Sequence, residues 1–277
     1  MTFTAYAYAF PSPLLGRRMG LVFGGGDLHP QRLLAAYSIG IYPWYTPGGP
    51  MLWWSPDPRC ILRLEDFHLP KRCRRVLARR PFSLTLDRAF GEVMKQCAAP
   101  RGEERGTWLG KDMRRAYQRL HEMGYGHSVE AWRDGELAGG LYGIALGRTF
   151  FGESMFHRES EASRCCLAGL ATLLRQRGAT WLDCQQETPH MVGMGAAAVP
   201  RREFLELLAE ALAEDGLVFR MPAREPEEVY ANGPSEVPEG VPVHEECPWR
   251  PWAERYVHDP DADAWIEVPA DGPPSGA

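Results

Sequence analysis

The sequence has no apolar run approaching the roughly 18 residues that a membrane-spanning helix needs, and its first ten residues, Met1 to Phe10, contain no Lys or Arg. No membrane anchor or export signal is expected, and the chain is read as cytoplasmic. It also has no Cys-x-x-Cys pair. Its seven cysteines, at positions 60, 73, 97, 165, 166, 184 and 247, follow no regular spacing, which argues against both a disulfide framework and a zinc cage. His157 and His190 stand near three of those cysteines but match no ligand template, so neither a metal nor a cofactor is expected. A phosphate-binding loop is missing too. Gly24-Gly25-Gly26-Asp27-Leu28 is followed by no Lys and places an Asp where a phosphate would approach. A tight turn leading into a helix is expected there instead. Internal repeats are absent.

What is present suits a globular chain. The 277 residues, 44% hydrophobic and 24% charged, suffice for a full core and for one large or two small domains. The formal net charge of -5 hides an asymmetry. Residues 221–277 hold 13 acidic against three basic side chains and 11 of the 24 prolines, leaving 28 basic against 23 acidic in residues 1–220. A basic body with an acidic tail is compatible with a nucleic-acid partner. The tail shows no sustained apolar period and reads as an irregular extension, its Trp249, Trp252, Tyr256 and Trp265 either solvated or strapped onto the body.

Residues 20–60 are rich in Gly, Pro and aromatics, with turns, short strands and one helix expected over Pro30 to Ile39, because Pro suits the first helical position. Further on, a strand is expected over Ser83 to Leu86, then helices over Ala89 to Cys97 and Lys111 to Met123, the second closed by Gly124. Apolar alternation marks strands over His127 to Trp132 and Leu137 to Ala145, joined in a hairpin at Asp134-Gly135, with Thr149 to Glu153 continuing the sheet. A helix over Ala162 to Gln176, a buried strand over Thr180 to Gln185 and a closing helix over Arg201 to Ala213 complete the reading.

Four features could carry chemistry. Lys71, Arg72, Arg74, Arg75, Arg79 and Arg80 crowd one stretch after Pro70, expected on one helix. Their mutual repulsion calls for a counter-anion such as a phosphate backbone, or they form a solvated basic face. Trp44, Trp53, Trp54 and Trp108 lie in Gly- and Pro-rich segments, as stacking platforms for unpaired bases or as core. Glu153 sits in an otherwise apolar strand end and needs a partner, a ligand amine or a structural donor. Asp183 and Gln185 end a buried strand on one face, while Cys184 points the other way in no low-pKa setting and reads as core.

Several motifs, in order, then resemble one family. They are Gly25-Gly26-Asp27-Leu28, Gly40-Ile41-Tyr42-Pro43-Trp44-Tyr45, Leu52-Trp53-Trp54-Ser55-Pro56-Asp57-Pro58-Arg59, Gly106-Thr107-Trp108, His127-Ser128-Val129-Glu130, Gly139-Gly140-Leu141-Tyr142-Gly143, Phe151-Gly152-Glu153-Ser154-Met155-Phe156 and Asp183-Cys184-Gln185. Over roughly residues 8–210 the chain resembles the leucyl/phenylalanyl-tRNA-protein transferases, and the long acidic tail departs from the typical member. The resemblance implies an α+β fold with a small N-terminal domain, residues 1–60, a larger GNAT-like mixed-sheet domain, residues 61–220, and the irregular tail, residues 221–277.

It also implies an activity: Leu or Phe, and weakly Met, moves from aminoacyl-tRNA to acceptor proteins with a basic N-terminal residue, marking them for N-degron degradation. No membrane partner is implied, and a monomer is expected. By position, the 3′ adenosine would stack between Trp44 and Trp108, and the aminoacyl side chain would enter a pocket of Leu141, Phe150, Met155, Leu167, Leu174 and Leu182. Asp183 and Gln185 would be the catalytic pair, with Glu153 close by, and the basic run from Lys71 to Arg80 would meet tRNA phosphates.

An ester on tRNA is already activated, so this reaction needs a positioned amine more than a protein nucleophile, and no Ser-His or Cys-His pair is evident. Glutamine is a poor base. The expected roles are therefore Gln185 positioning the amine through its carbonyl, Asp183 orienting that amide, and the ribose hydroxyl assisting proton transfer. Two rivals are an acetyl-CoA acetyltransferase, which lacks its pyrophosphate loop before Ala162, and a non-catalytic RNA-binding module.

Overall fold

A computed structural model describes residues 10–16, 19–99, 107–213, 256–259 and 264–267. A three-stranded antiparallel sheet comes first, ordered β1 (Leu21–Gly24), β3 (Leu52–Trp54), β2 (Tyr42–Pro43). The glycine-rich segment after β1 is a turn, as expected. Gly25 and Gly26 adopt φ of 99° and 88°, and Asp27 Oδ1 accepts from the backbone N–H of His29 at 2.9 Å and from Arg32 Nε at 3.2 Å. The Asp is thus a local brace. It leads into α1 (Pro30–Ser38), whose Gln31 N–H donates to His29 Nδ1 at 3.3 Å.

The chain crosses between sheets from Trp54 to β4 (Arg59–Arg63). A seven-stranded sheet then runs in the order β10 (Ala197–Val199), β4, β9 (Trp181–Gln185), β8 (Thr149–His157), β7 (Glu136–Leu146), β6 (Gly126–Arg133), β5 (Ser83–Leu86). Every neighbouring pair is antiparallel except β8 and β9. The β6–β7 turn has Asp134 and Gly135 at φ of 52° and 82°, the two left-handed residues of a tight hairpin. Both sheet faces are covered. Leu141, Ala145 and Phe150 pack with α5 (Ala162–Gln176). Tyr142, Ile144 and Phe151 pack with α1, α3 (Phe90–Cys97) and α4 (Lys111–Glu122). Each fully buried Leu or Phe contributes roughly 1.5–3 kcal/mol, so this two-sided burial outweighs local propensity in setting the strands. No helix of the described residues is long and apolar enough to cross a membrane.

Two irregularities in the sheet prepare the site. Tyr142 pairs with Ser154 and Gly143 with Gly152, so Glu153 is an extra residue in a β-bulge. The bulge requires a glycine opposite, since a Cβ on Gly143 would lie 2.1 Å from the Phe151 carbonyl oxygen. Second, β8 and β9 share a single register pair, Phe151 with Asp183, and separate beyond it.

Several sequence expectations change. Strand β8 runs four residues past Glu153 to His157, because the bulge interrupts the alternation that marked it. The short strands β4 and β10 were not expected. The helix carrying the basic run, α2 (Lys71–Leu77), stops before Arg79 and Arg80, which follow its terminal turn. In the tail, β11 (Tyr256–Asp259) and β12 (Ala264–Glu267) form an antiparallel pair where an irregular chain was expected. The rest of residues 214–277, including Trp249 and Trp252, and Gly106 of the Gly106-Thr107-Trp108 motif lie outside the described residues.

Candidate active site

A cavity of about 670 Å³ opens where β8 and β9 part. Leu141, Phe150, Met155, Leu167 and Leu182 line it, joined by Leu170 of α5 and by Met191 of α6 (Pro189–Val192). On α5, Ser163, Leu167 and Leu170 face the cavity at helical spacing. Leu174, one turn further along, is fully buried in the core behind it and is not a wall residue. Glu153 and Asp183 both border the space, and Gln185 stands beside it at the end of β9.

Glu153 is the hub of a polar network. Its Oε1 accepts from Tyr37 Oη at 2.7 Å and from Gln185 Nε2 at 2.8 Å, and its Oε2 accepts from Tyr117 Oη at 2.9 Å. The two phenol oxygens are 2.5 Å apart. Burial pushes the Glu153 carboxyl up to about 7, the phenol hydrogen bonds pull it down, and Asp183 adds to the rise. Burial and then Glu153 itself push both tyrosines well above their usual value, so they remain donors.

Asp183 has a different partner. Its Oδ1 accepts from Arg59 Nε at 2.8 Å and its Oδ2 from Arg59 Nη2 at 2.5 Å, both side chains having no exposed surface. Arg59 also donates from Nη1 to the Gly40 carbonyl at 3.3 Å and lies over the rings of Tyr42 and Phe204, at 4.8 and 4.5 Å. Asp183 Oδ1 takes a further hydrogen bond from the backbone N–H of Gln185 at 2.8 Å. Gln185 has a φ of 61°, and this left-handed turn ends the strand alternation. Asp183 was expected to orient the Gln185 side-chain amide. Instead it holds the Gln185 backbone, and Glu153 holds the amide.

Cys184 borders the cavity, packs against the core shared with α5 and bonds to Cys60, and that hydrogen bond, with burial, pushes its thiol well above the usual range. It is no ready nucleophile. The two tryptophans expected to stack do not line the cavity. Trp44 is 43% exposed and meets Trp54 edge-on, at 5.7 Å between ring centroids. Trp108 is partly buried against the α1 and α4 core. Their two loops do touch, since a Cβ on Gly110 would stand 3.1 Å from Pro47. Lys71, Arg72, Arg75, Arg79 and Arg80 are exposed, and Arg74 is half-buried, while Cys73 and Leu77 pin α2 to the core shared with α5.

Sequence reasoning missed Arg59, Tyr37 and Tyr117. The only signal for Arg59 was indirect, a carboxylate inside a buried strand that demands a cation. The tyrosines look like helical core residues until the fold brings them to Glu153.

The site is an apolar cavity in a split mixed sheet, bordered by a carboxylate with an amide bonded to it, a setting chemically suited to bringing an acyl group and an amine together. The particular family follows from comparison. A family model described as leucyl/phenylalanyl-tRNA protein transferase matches residues 61–209, and the model of that family's N-terminal domain matches residues 26–57. A curated relative from Desulfatibacillum aliphaticivorans named leucyl/phenylalanyl-tRNA–protein transferase is 51% identical over 207 residues, covering 74% of this chain and 89% of that protein. Another with that name, from Azoarcus sp. (strain BH72), is 54% identical over 185 residues, covering 67% of this chain and 79% of its own. The chain belongs to the leucyl/phenylalanyl-tRNA protein transferase family. Among solved structures, that of L-PGS from Bacillus licheniformis is 13% identical with a TM-score of 0.33, covering 54% of this chain and 48% of that one.

Proposed function

We propose that the chain moves leucine or phenylalanine, and methionine more weakly, from charged tRNA to the N-terminal Arg or Lys of acceptor proteins in the cytoplasm, marking them for N-degron degradation. The observation that carries this reading is the pairing of Gln185 and Glu153 at the mouth of a cavity walled by Leu141, Phe150, Met155, Leu167 and Leu182. The walls take the aminoacyl side chain, whose burial is worth roughly 1.5–3 kcal/mol. Val and Ile, branched at Cβ and stiff at χ1, enter less well.

With its NH₂ committed to Glu153, Gln185 presents its carbonyl oxygen to the incoming α-amine. The amine attacks the ester carbonyl, the bond to the ribose oxygen breaks, and the proton leaves toward the ribose with its neighbouring hydroxyl assisting. Glu153 supplies the negative potential that favours a basic N-terminal residue. Trp44 and Trp108, on loops that meet at Pro47 and Gly110, stack the terminal adenine, and the exposed cations of residues 71–80 meet tRNA phosphates.

The test is transfer of radiolabelled leucine from charged tRNA to an Arg-initiated peptide, with the full chain and with a chain ending at Arg220. Label in the peptide is expected from both. No transfer by the full chain would overturn the proposal.

A further inference from the structure

We infer that Arg59 is a positioning residue for the transfer proposed above, and that Asp183 serves as its anchor point on Gln185 rather than as a carrier of the proton. The inference rests on that proposal and deepens it.

The two oxygens of Asp183 accept three hydrogen bonds, two from the Arg59 fork and one from the Gln185 backbone N–H. These commitments occupy both carboxylate oxygens, and the side chain has no exposed surface. What the carboxylate does hold is the backbone at Gln185, whose left-handed φ of 61° is unfavourable for any residue with a Cβ and needs a fixed partner. That conformation lets the amide turn to Glu153 at 2.8 Å. The aim of Gln185 therefore depends on where the Asp183 carboxylate sits, and Arg59 decides that.

Arg59 is itself held on several sides. It has no exposed surface, donates to the Gly40 carbonyl, and is sandwiched by Tyr42 and Phe204. Tyr42 Oη in turn accepts from Gln186 Nε2 at 3.4 Å. Tyr42 of β2, just before Trp44, thus reaches both sides of Gln185, its ring against the Arg59 guanidinium that holds Asp183 and its phenol bonded to Gln186. A planar fork fixes the plane of a carboxylate as well as its distance, and a lysine ammonium fixes only the distance. Removing one member of a buried ion pair strands the other charge, whereas neutralising both avoids that cost.

The experiment compares wild type with Arg59→Lys, Arg59→Met and the double variant Arg59→Met/Asp183→Asn, measuring kcat and both KM values in leucyl transfer, with melting curves alongside. Arg59→Lys is expected to fold, to keep KM for leucyl-tRNA and for peptide within about twofold, and to lose at least tenfold in kcat. Arg59→Met is expected to lose a hundredfold or more. The double variant keeps an amide oxygen at position 183 for the Gln185 N–H, and should recover kcat to within about tenfold of wild type. A wild-type kcat in Arg59→Lys would overturn the positioning role. A folded double variant that binds both substrates normally but does not turn over would overturn the anchor role and return the proton to Asp183. Failure of wild type to transfer at all strikes the proposed function instead, so the two failures are distinct.

Discussion

Gln185 Nε2 donates to Glu153 Oε1 across 2.8 Å, joining the last residue of β9 to the extra residue of β8. The two strands share only one register pair, and this side-chain bond bridges them at the edge of the split.

The bond is predicted to make transfer sensitive to the charge on Glu153. Its carboxyl, pushed up to about 7 by burial, is protonated below that pH and ionised above it. Three donors face it, an arrangement suited to the ionised form. We predict that kcat rises through about pH 7, and that Glu153→Gln removes this step and lowers kcat at pH 8 by roughly 10- to 100-fold, the worth of one charged hydrogen bond. A pH profile of kcat at saturating substrates checks it. An unchanged step in the variant would assign the titration to another group.

Donor choice should follow the cavity walls. Leu141 and Leu167 both border the cavity. Leu141→Phe or Leu167→Phe narrows that space and is predicted to favour leucine over phenylalanine by at least about tenfold, within the range that one pocket side chain can supply. Competition between leucyl- and phenylalanyl-tRNA measures it. Equal use of both donors would place the side chain elsewhere.

The exposed cations of α2 should act on binding alone. Replacing Lys71, Arg72 and Arg75 by Glu is predicted to raise KM for leucyl-tRNA at least tenfold with kcat unchanged. The log-log salt dependence of that KM should flatten by roughly 0.7–0.9 for each phosphate no longer neutralised. A solvated face with no nucleic-acid role would leave both quantities alone.

Stability should vary with pH through a group remote from the cavity. Glu130 is fully buried and accepts from Ser128 Oγ and Thr85 Oγ1, each at 2.5 Å, and from the Ala89 N–H at the start of α3, at 3.2 Å. Burial pushes it from the usual 4.5 to about 7. A folded pKa above the unfolded one gives stability that is fully present below about pH 4.5 and lost as pH rises through about 7, each tenfold difference in proton affinity being worth roughly 1.4 kcal/mol. The melting temperature is therefore predicted to fall between pH 5 and pH 8, and Glu130→Gln should reduce that slope. Glu153, raised in the same direction, adds to that slope, while His29 and His190, held below the usual value by burial, oppose it. A slope untouched by either substitution would contradict the assignment.

Much of the fold was legible because it was periodic. Strand β5 and helices α5 and α7 (Arg201–Ala213) fall on their expected residues, each bounded by a residue that stops the pattern or by a pattern long enough to define itself. The three-residue β10 carries no period at all, and the bulge at Glu153 breaks the one in β8. The candidate site divides the same way. Asp183 and Gln185 were visible as polar residues ending a buried strand. Arg59 pairs with Asp183 across 124 positions of sequence, and Tyr37 meets Glu153 across 116. Only tertiary structure creates those meetings. The outward ring of Trp44 and the partly buried Trp108 also show that a stacking role cannot be told from packing by residue type alone.

Strand β8 carries one residue more than its pairing with β7 can use, and Glu153 occupies that surplus position. Omitting Glu153 would bring Gly152 and Ser154 into direct succession opposite Gly143 and Tyr142, leaving Phe150, Met155 and Phe156 on the sides they already occupy. The carboxylate is thus supernumerary to the architecture. A shortened chain would keep the same greasy walls in the same order and would lose the carboxylate to which Tyr37, Tyr117 and Gln185 all donate.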